Sequence, residues 1–342
     1  RGGVRELSAS IEEFDIIERY FAGKIACAHP NIVLGPGDDC GIFTPLEGQD
    51  MCISTDTLIA GTHFPLLCAP DIVAHRSMAA NLSDLAAMGA TPFAYTLALT
   101  LDPESATHSW LDRFTDYLEE IGGRYAIALI GGNLAQGSLS LTYTVLGHVS
   151  GGQALRRNTA KPGDDIYVSG TLGDAAAGLR CLQGPDSAPD KETPHKETTA
   201  LVDRYYFPTP RIELGQSLQS IASSAIDISD GYAADLAHIC KGSSVSAEVW
   251  VDDLPMSTAL VNYAGEAEAR MLALSGGDDY ELCFTAAPER GDSINALAEQ
   301  LKLSITRVGR ITEAKNNEAR VVLLDRKSNE INLVRSGYRH FG

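Results

Sequence analysis

The sequence predicts an α/β fold, mixed with α+β character, in two domains, and three observations point there. Helical and strand periodicities alternate along the chain. At 342 residues there is room for two ordinary cores. The run of elements stops at Ser150-Gly151-Gly152 and restarts after Lys161-Pro162-Gly163. That places a boundary within 150–165 and gives domains of 1–150 and 151–342.

Each element has a local reason. Ser10 and Glu13 form a capping box that opens an amphipathic helix through about Phe21. Residues 51–55 read as a short buried strand. Asp71 is placed to cap a long helix whose apolar face carries Ile72, Met78, Leu82, Leu85 and Met88, closed by Gly89. Residues 93–101 read as a strand, and 110–121 as a helix ended by Gly122-Gly123. A strand over 126–130 then runs into Gly131-Gly132, and 139–148 alternates as a strand does. In the second half, strand 166–169 precedes a helix from about Asp174. Residues 184–199, rich in Pro, Lys, Glu, Asp and Ser without apolar periodicity, read as an exposed loop. Strand 225–228, helix 233–240, strands 245–251 and 280–285, helix 292–301 and strands near 304–310 and 320–324 complete the second unit.

Composition narrows the function. The 45 acidic residues against 27 basic give a net charge of −18, which disfavours nucleic acid as a partner. The seven cysteines are scattered, odd in number and without a Cys-x-x-Cys pair, so a reducing cytoplasm is expected rather than a disulfide framework or a zinc knuckle. The N-terminus lacks the basic-then-apolar run of a signal peptide. No apolar stretch approaches roughly 18 residues, so no membrane span is expected.

Five short acidic clusters carry the chemistry. They are Gly37-Asp38-Asp39, Ser54-Thr55-Asp56-Thr57, Ser83-Asp84, Asp227-Ile228-Ser229-Asp230-Gly231 and Gly276-Gly277-Asp278-Asp279. Gathering carboxylates is costly unless a positive charge joins them, and no Lys or Arg lies within any cluster. Oxygen-only ligation suits Mg²⁺, which makes a magnesium–polyphosphate site the leading idea. Bland readings stand beside it. The turn at 35–41 serves equally as an Asx turn, and Ser54–Asp56 as a cap. His63 by itself reads as a packed histidine, and Pro162-Gly163-Asp164-Asp165 reads as plain turn chemistry. Asp84 is harder to explain that way, because it interrupts an apolar helix of small residues. No Gly-x-x-x-x-Gly-Lys-Ser/Thr loop is present, so a P-loop kinase is disfavoured.

Taken in order, residues 35–41, 54–64 (STDTLIAGTHF), 81–92 (NLSDLAAMGATP), 161–164, 225–231 (AIDISDG) and 274–284 (LSGGDDYELCF) resemble the thiamine-monophosphate kinases of the aminoimidazole ribonucleotide synthetase-like superfamily. The resemblance implies that family's two-domain fold, with an N-terminal sheet domain that dimerises and a C-terminal α/β domain that completes the site. It implies phosphorylation of thiamine monophosphate to thiamine diphosphate, with ATP as co-substrate and several Mg²⁺ ions. Residue by residue, it assigns metal ligation to Asp39, Ser54, Thr55, Asp56, Asp84, Asn133, Asp227 and Asp230. Nucleotide contacts fall to Gly132, Asn133, Arg157 and Ser229, and substrate contacts to His63, Asp278 and Arg335. Transfer is expected to depend on Asp56, Asp84 and Asp230.

The sequence also departs from that pattern. The family's Gly-Gly-Asp-Thr-Thr-Arg-Gly stands here as Gly131-Gly132-Asn133-Leu134-Ala135-Gln136-Gly137. Asn133 keeps an oxygen donor but brings no charge, and Gln136 loses a cation. Arg335 stands where an aromatic often stacks on the substrate. The alternatives are another ATP-using enzyme of the superfamily, a metal-dependent phosphohydrolase, and a non-catalytic binder of nucleotide or thiamine phosphate.

Overall fold

The computed structural model describes residues 16–22, 29–36, 39–184, 196–316 and 318–331. The capping box at Ser10 and Glu13, Gly37, Asp38 and Arg335 lie outside the described residues. Ile17–Ala22, at the end of the first expected helix, is a short π-helix. The chain divides into two compact units. One comprises 1–47, 55–78 and 92–146, and the other 48–54, 79–91 and 147–342.

The first half of the chain contributes β1 (Ile32–Leu34) and β2 (Ile42–Phe43), an antiparallel pair. There follow β3 (Gln49–Ile59), α1 (Pro70–Ala87), β4 (Thr91–Leu101), α2 (His108–Tyr125), β5 (Ala128–Gln136) and β6 (Ser140–Ser150). Four of these strands form one sheet in the order β3-β6-β4-β5. β4 and β5 run parallel, as strands joined through a crossover helix can.

Several elements depart from the sequence reading, each for a physical reason. The strand expected at 51–55 as short and buried is eleven residues long and largely exposed. It is the outer strand, so only one edge is paired, and Thr55 and Thr57 bond Thr144 and Thr142 of β6 at 2.9 and 2.8 Å. α1 starts at Pro70, whose fixed φ suits a first helical position. Asp71 is therefore no cap; its carboxylate pairs with Arg113 at 2.8 Å. α2 begins at its Thr107 cap and runs through Gly122-Gly123 to close at Ala126, which adopts a left-handed conformation. Gly122 serves packing instead, because a Cβ there would lie 3.1 Å from the Ile127 carbonyl. β5 likewise continues through Gly131-Gly132 to Gln136.

The second half forms a seven-stranded sheet in the order β13-β12-β9-β11-β7-β10-β8. Its strands are β7 (Asp165–Ser169), β8 (Ser224–Asp227), β9 (Val245–Trp250), β10 (Leu282–Ala286), β11 (Ile305–Glu313), β12 (Val321–Leu324) and β13 (Glu330–Ile331). The pairs around β7, β10 and β11 are antiparallel, whereas β12 and β9 are parallel. Ile166, Val168, Ile226, Val249 and Val308 fill the core beside it. The helices are α3 (Asp174–Gln183), α4 (Lys196–Tyr206), α5 (Ile212–Leu218), α6 (Tyr232–Ser243), α7 (Thr258–Ala264), α8 (Glu266–Ser275) and α9 (Gly291–Leu301). α4 begins inside the expected loop 184–199. Its Leu201 and Tyr205, four apart, are buried, and Gly178 of α3 lets the Leu201 backbone come close. The strand expected from 280 begins at Leu282, because Tyr280 has φ +50° and cannot extend a ladder. Among the described residues, no helix is long and apolar enough to cross a membrane.

Candidate active site

Consecutive residues on α1 organise the acidic groups. Leu82 and Leu85 are buried on that helix, so the polar pair between them, Ser83 and Asp84, needs partners. The Ser54 hydroxyl of β3 donates to the Asp84 carboxylate in a short hydrogen bond. The buried Ser83 hydroxyl donates to Asp227 Oδ2 at 2.8 Å, at the end of β8. Two neighbouring side chains thus tie residues 54 and 227 to the same turn of helix.

The loop after Asp227 is held from two sides. Asp235, in the first turns of α6, accepts the backbone N–H groups of Ser229, Asp230 and Gly231, each at 3.1 Å. Burial pushes the Asp235 carboxyl up to about 7, and the Asp230 charge adds to that, while the three N–H groups pull the other way. On the other side, the Asp278 N–H donates to the Ser229 carbonyl at 2.9 Å and the Tyr280 N–H to the Ile228 carbonyl at 2.8 Å. A Cβ at Gly277 would stand 2.5 Å from that Ser229 carbonyl, so glycine is required for the approach. The Tyr280 hydroxyl donates to Asp278 Oδ1 at 3.3 Å. Ser229, Asp230 and Asp278 are each half-buried on these apposed backbones.

The remaining expected residues are placed as follows. Arg157 is exposed, and its carbonyl accepts the Ser243 hydroxyl at 3.3 Å. In the first unit, Asp39, Thr55 and Asp56 are exposed, with Thr55 bonded to Thr144. His63 Nδ1 accepts the Ile59 N–H at 2.9 Å, which leaves the proton of a neutral ring on Nε2. The His63 carbonyl accepts Arg76 Nε at 2.9 Å. Gly132 and Asn133 are exposed on β5, and a Cβ at Gly132 would lie 2.2 Å from the Leu97 carbonyl. Among the described residues, no group of three or more His, Cys, Asp or Glu side chains is gathered closely enough to hold a metal. What the structure brings together are the hydroxyl–carboxylate pairs of α1 and the two apposed loops.

Sequence reasoning missed Asp235, Glu281, Arg204 and Arg211 as supports of these loops, and named Asp279 only as a member of an acidic cluster. Asp235 had a signal, a carboxylate four residues after Gly231 in the first turn of a helix, where backbone N–H groups point. The arginines had none, since they come from helices that local periodicity did not reveal.

Two α/β units with acidic loops at strand ends define the class, and the chain belongs to the AIR synthase related proteins. Residues 37–149 match the family described as AIR synthase related protein, N-terminal domain, and 161–322 match its C-terminal domain. Within that class the similarity runs to thiamine-monophosphate kinases. The chain is 44% identical over 300 residues to thiamine-monophosphate kinase of Salmonella typhimurium, covering 88% of this chain and 90% of the relative. The crystal structure of thiamine-monophosphate kinase from Stenotrophomonas maltophilia is similar at a TM-score of 0.82 and 44% identity, over 91% of this chain and 96% of that one. The structure of AaThiL complexed with AMPPCP and TMP is similar at a TM-score of 0.75 and 29% identity, over 87% and 89%.

Proposed function

We propose that this chain transfers the γ-phosphoryl group of ATP to the phosphate of thiamine monophosphate, forming thiamine diphosphate and ADP. The kinase relatives and the AaThiL complex support the pair of substrates. Within this chain, the observation that carries the reading is the pairing of Ser83 and Asp84 with Asp227 and Ser54. It brings a carboxylate from a distant strand end to the turn of helix that carries Asp84.

The donors there are all oxygen, which fits Mg²⁺ and not zinc or copper. Magnesium commonly takes only one or two carboxylates and completes its shell with substrate phosphates and water, so a three-carboxylate cage is not required. Asp84 and Asp227, with Asp39, Ser54, Thr55, Asp56, Asn133 and Asp230, would hold the ions. Bound Mg²⁺ supplies charge neutralisation between two polyanions and polarises the transferred phosphoryl group. Asp56, Asp84 and Asp230 are the residues on which turnover depends.

The acceptor phosphate is already ionised, so no strong general base is needed and the protein's task is positioning. The acceptor oxygen forms a bond to the γ-phosphorus as the bond to the ADP oxygen breaks on the opposite side, without a phosphoenzyme. Ser229, Gly132, Asn133 and Arg157 serve the nucleotide; His63, Asp278 and Arg335 serve the acceptor. The domain of 1–150 binds metal and nucleotide and dimerises through its sheet, and 151–342 completes the site in a cytoplasmic enzyme. Exposed Ile59, at the end of β3, with Leu66 and Leu67 shortly after it, are the apolar side chains that such an interface would cover.

A purified-protein assay tests the reading directly: thiamine monophosphate and ATP, with and without Mg²⁺, followed for thiamine diphosphate. Product only in the presence of Mg²⁺ is expected. Release of inorganic phosphate without thiamine diphosphate would move the assignment to a phosphohydrolase, and tight binding without turnover to a binding protein.

A further inference from the structure

Residues 278–281 alternate in an unusual way. Asp279 and Glu281 are fully buried, while Asp278 and Tyr280 have positive φ, +69° and +50°. Residues with a Cβ disfavour that conformation, so it persists only where the surroundings over-determine it. The Glu281 carboxylate supplies much of that determination. Its Oε2 accepts Arg211 Nε and the Ser169 hydroxyl, each at 2.6 Å, and its Oε1 accepts a second Arg211 N–H and one from Arg204 at 3.0 Å. Arg204 also donates to the Asp279 carbonyl at 3.3 Å. Gly170 makes room, because a Cβ there would stand 2.1 Å from Oε1. The buried Asp279 carboxylate accepts the Gly173 N–H at 2.7 Å, at the start of α3. Beyond its side chain, the Glu281 carbonyl accepts the Ile228 N–H at 2.8 Å.

A buried carboxylate between two guanidiniums is generally no more stable than apolar residues of similar volume. Its worth therefore lies in the geometry it enforces. That geometry is the apposition of the 278–280 backbone to Ile228 and Ser229.

We propose that Glu281, clamped by Arg204 and Arg211, is a positioning residue that holds Asp278 beside Ser229. The inference deepens the proposed function, resting on it for the role of Asp278 toward the acceptor. The clamp acts through backbone hydrogen bonds, and Glu281 itself is too deep to meet substrate.

The test uses the full chain with Glu281→Gln, which keeps volume and removes charge, and Arg211→Lys, which keeps charge and removes the paired fork. The first readout is amide hydrogen exchange at Asp278 and Tyr280, with Ile311 of β11 as the reference for global opening. In either variant, exchange at Asp278 and Tyr280 should quicken at least about tenfold relative to Ile311. Unchanged protection, or loss in step with Ile311, overturns the clamp. Should Glu281→Gln fail to fold, Arg211→Lys carries the same comparison. The second readout is kinetic. Glu281→Gln should raise KM for thiamine monophosphate severalfold, and should add nothing further in an Asp278→Ala background. Additive effects in that double variant overturn positioning through Asp278. A wild-type protein inactive on thiamine monophosphate would sink the substrate reading alone, because the exchange result decides the clamp independently.

Discussion

Asp84 and Asp235 show two different uses of a carboxylate in a mostly apolar setting. Asp84 takes a hydrogen bond from Ser54 and sits beside the Ser83–Asp227 pair, and the proposed function assigns its charge to a bound cation. Asp84→Asn preserves shape and an acceptor oxygen while removing that charge. It should lower kcat by roughly 100-fold or more at limiting Mg²⁺, with an unchanged thermal midpoint. Near-normal turnover at limiting Mg²⁺ in both Asp84→Asn and Asp56→Asn would remove the proposed mechanism. Asp235 instead spends its carboxylate on three backbone N–H groups of the 229–231 loop. Asp235→Ala leaves those donors without that acceptor and should cost about 1–3 kcal/mol of stability in urea denaturation. Asp235→Asn, which retains an acceptor oxygen, should recover part of the loss. If alanine is as stable as wild type, Asp235 does not hold the loop. The acidic character of both positions is plain in the sequence, but that Asp235 meets backbone N–H groups while Asp84 meets a serine hydroxyl is not. That distinction depends on which loop each meets.

At the scale of elements, glycine has two meanings, a stop or a close approach, that a short window of sequence does not separate. Gly122-Gly123 and Gly131-Gly132 look like stops, yet α2 and β5 both run through them. The reason is steric and non-local: a Cβ at Gly132 would lie 2.2 Å from the Leu97 carbonyl of β4, and one at Gly122 would crowd Ile127. Gly132→Ala should therefore destabilise the protein by about 1–3 kcal/mol. A Gly132→Ala protein with the wild-type melting temperature but a raised KM for ATP would instead point to a role purely at the nucleotide. Elements with clean local signals were legible. The strand at 93–101 is Thr91–Leu101, the helix at 292–301 is Gly291–Leu301, and the strand at 320–324 is Val321–Leu324. α4, α5, α7 and α8 were not: α5 and α7 are only seven residues long, too short to show a helical period even though Ser257 caps α7, and α4 opens within a polar segment.

For the whole molecule, exposed apolar side chains on the first unit carry the prediction about assembly. Leu67 is 86% exposed, Leu66 72% and Ile59 39%. A single exposed leucine is ordinary on a protein surface, whereas several exposed apolar side chains forming one patch mark an interaction surface. The double variant Ile59→Lys with Leu67→Glu should sediment as a monomer while keeping wild-type circular dichroism, and the wild type should sediment as a dimer. A monomeric wild type at micromolar concentration would contradict the proposed dimer. Surface ion pairs such as Arg113–Asp71 are expected to matter little, about 0–1 kcal/mol each.

The sequence by itself determined the alternation of helices and strands, the acidic clusters and the kinship those clusters carry. Such information is local, resting on period, turn chemistry and the cost of an unpartnered carboxylate. Only the tertiary structure decided that Ser83 would meet Asp227 and Ser54 would meet Asp84. It likewise decided that two arginines from α4 and the start of α5 would close on Glu281. Contacts between residues 30 to 144 apart depend on how helices dock on sheets, and docking is set by the summed shape of many side chains, which no short window of sequence contains.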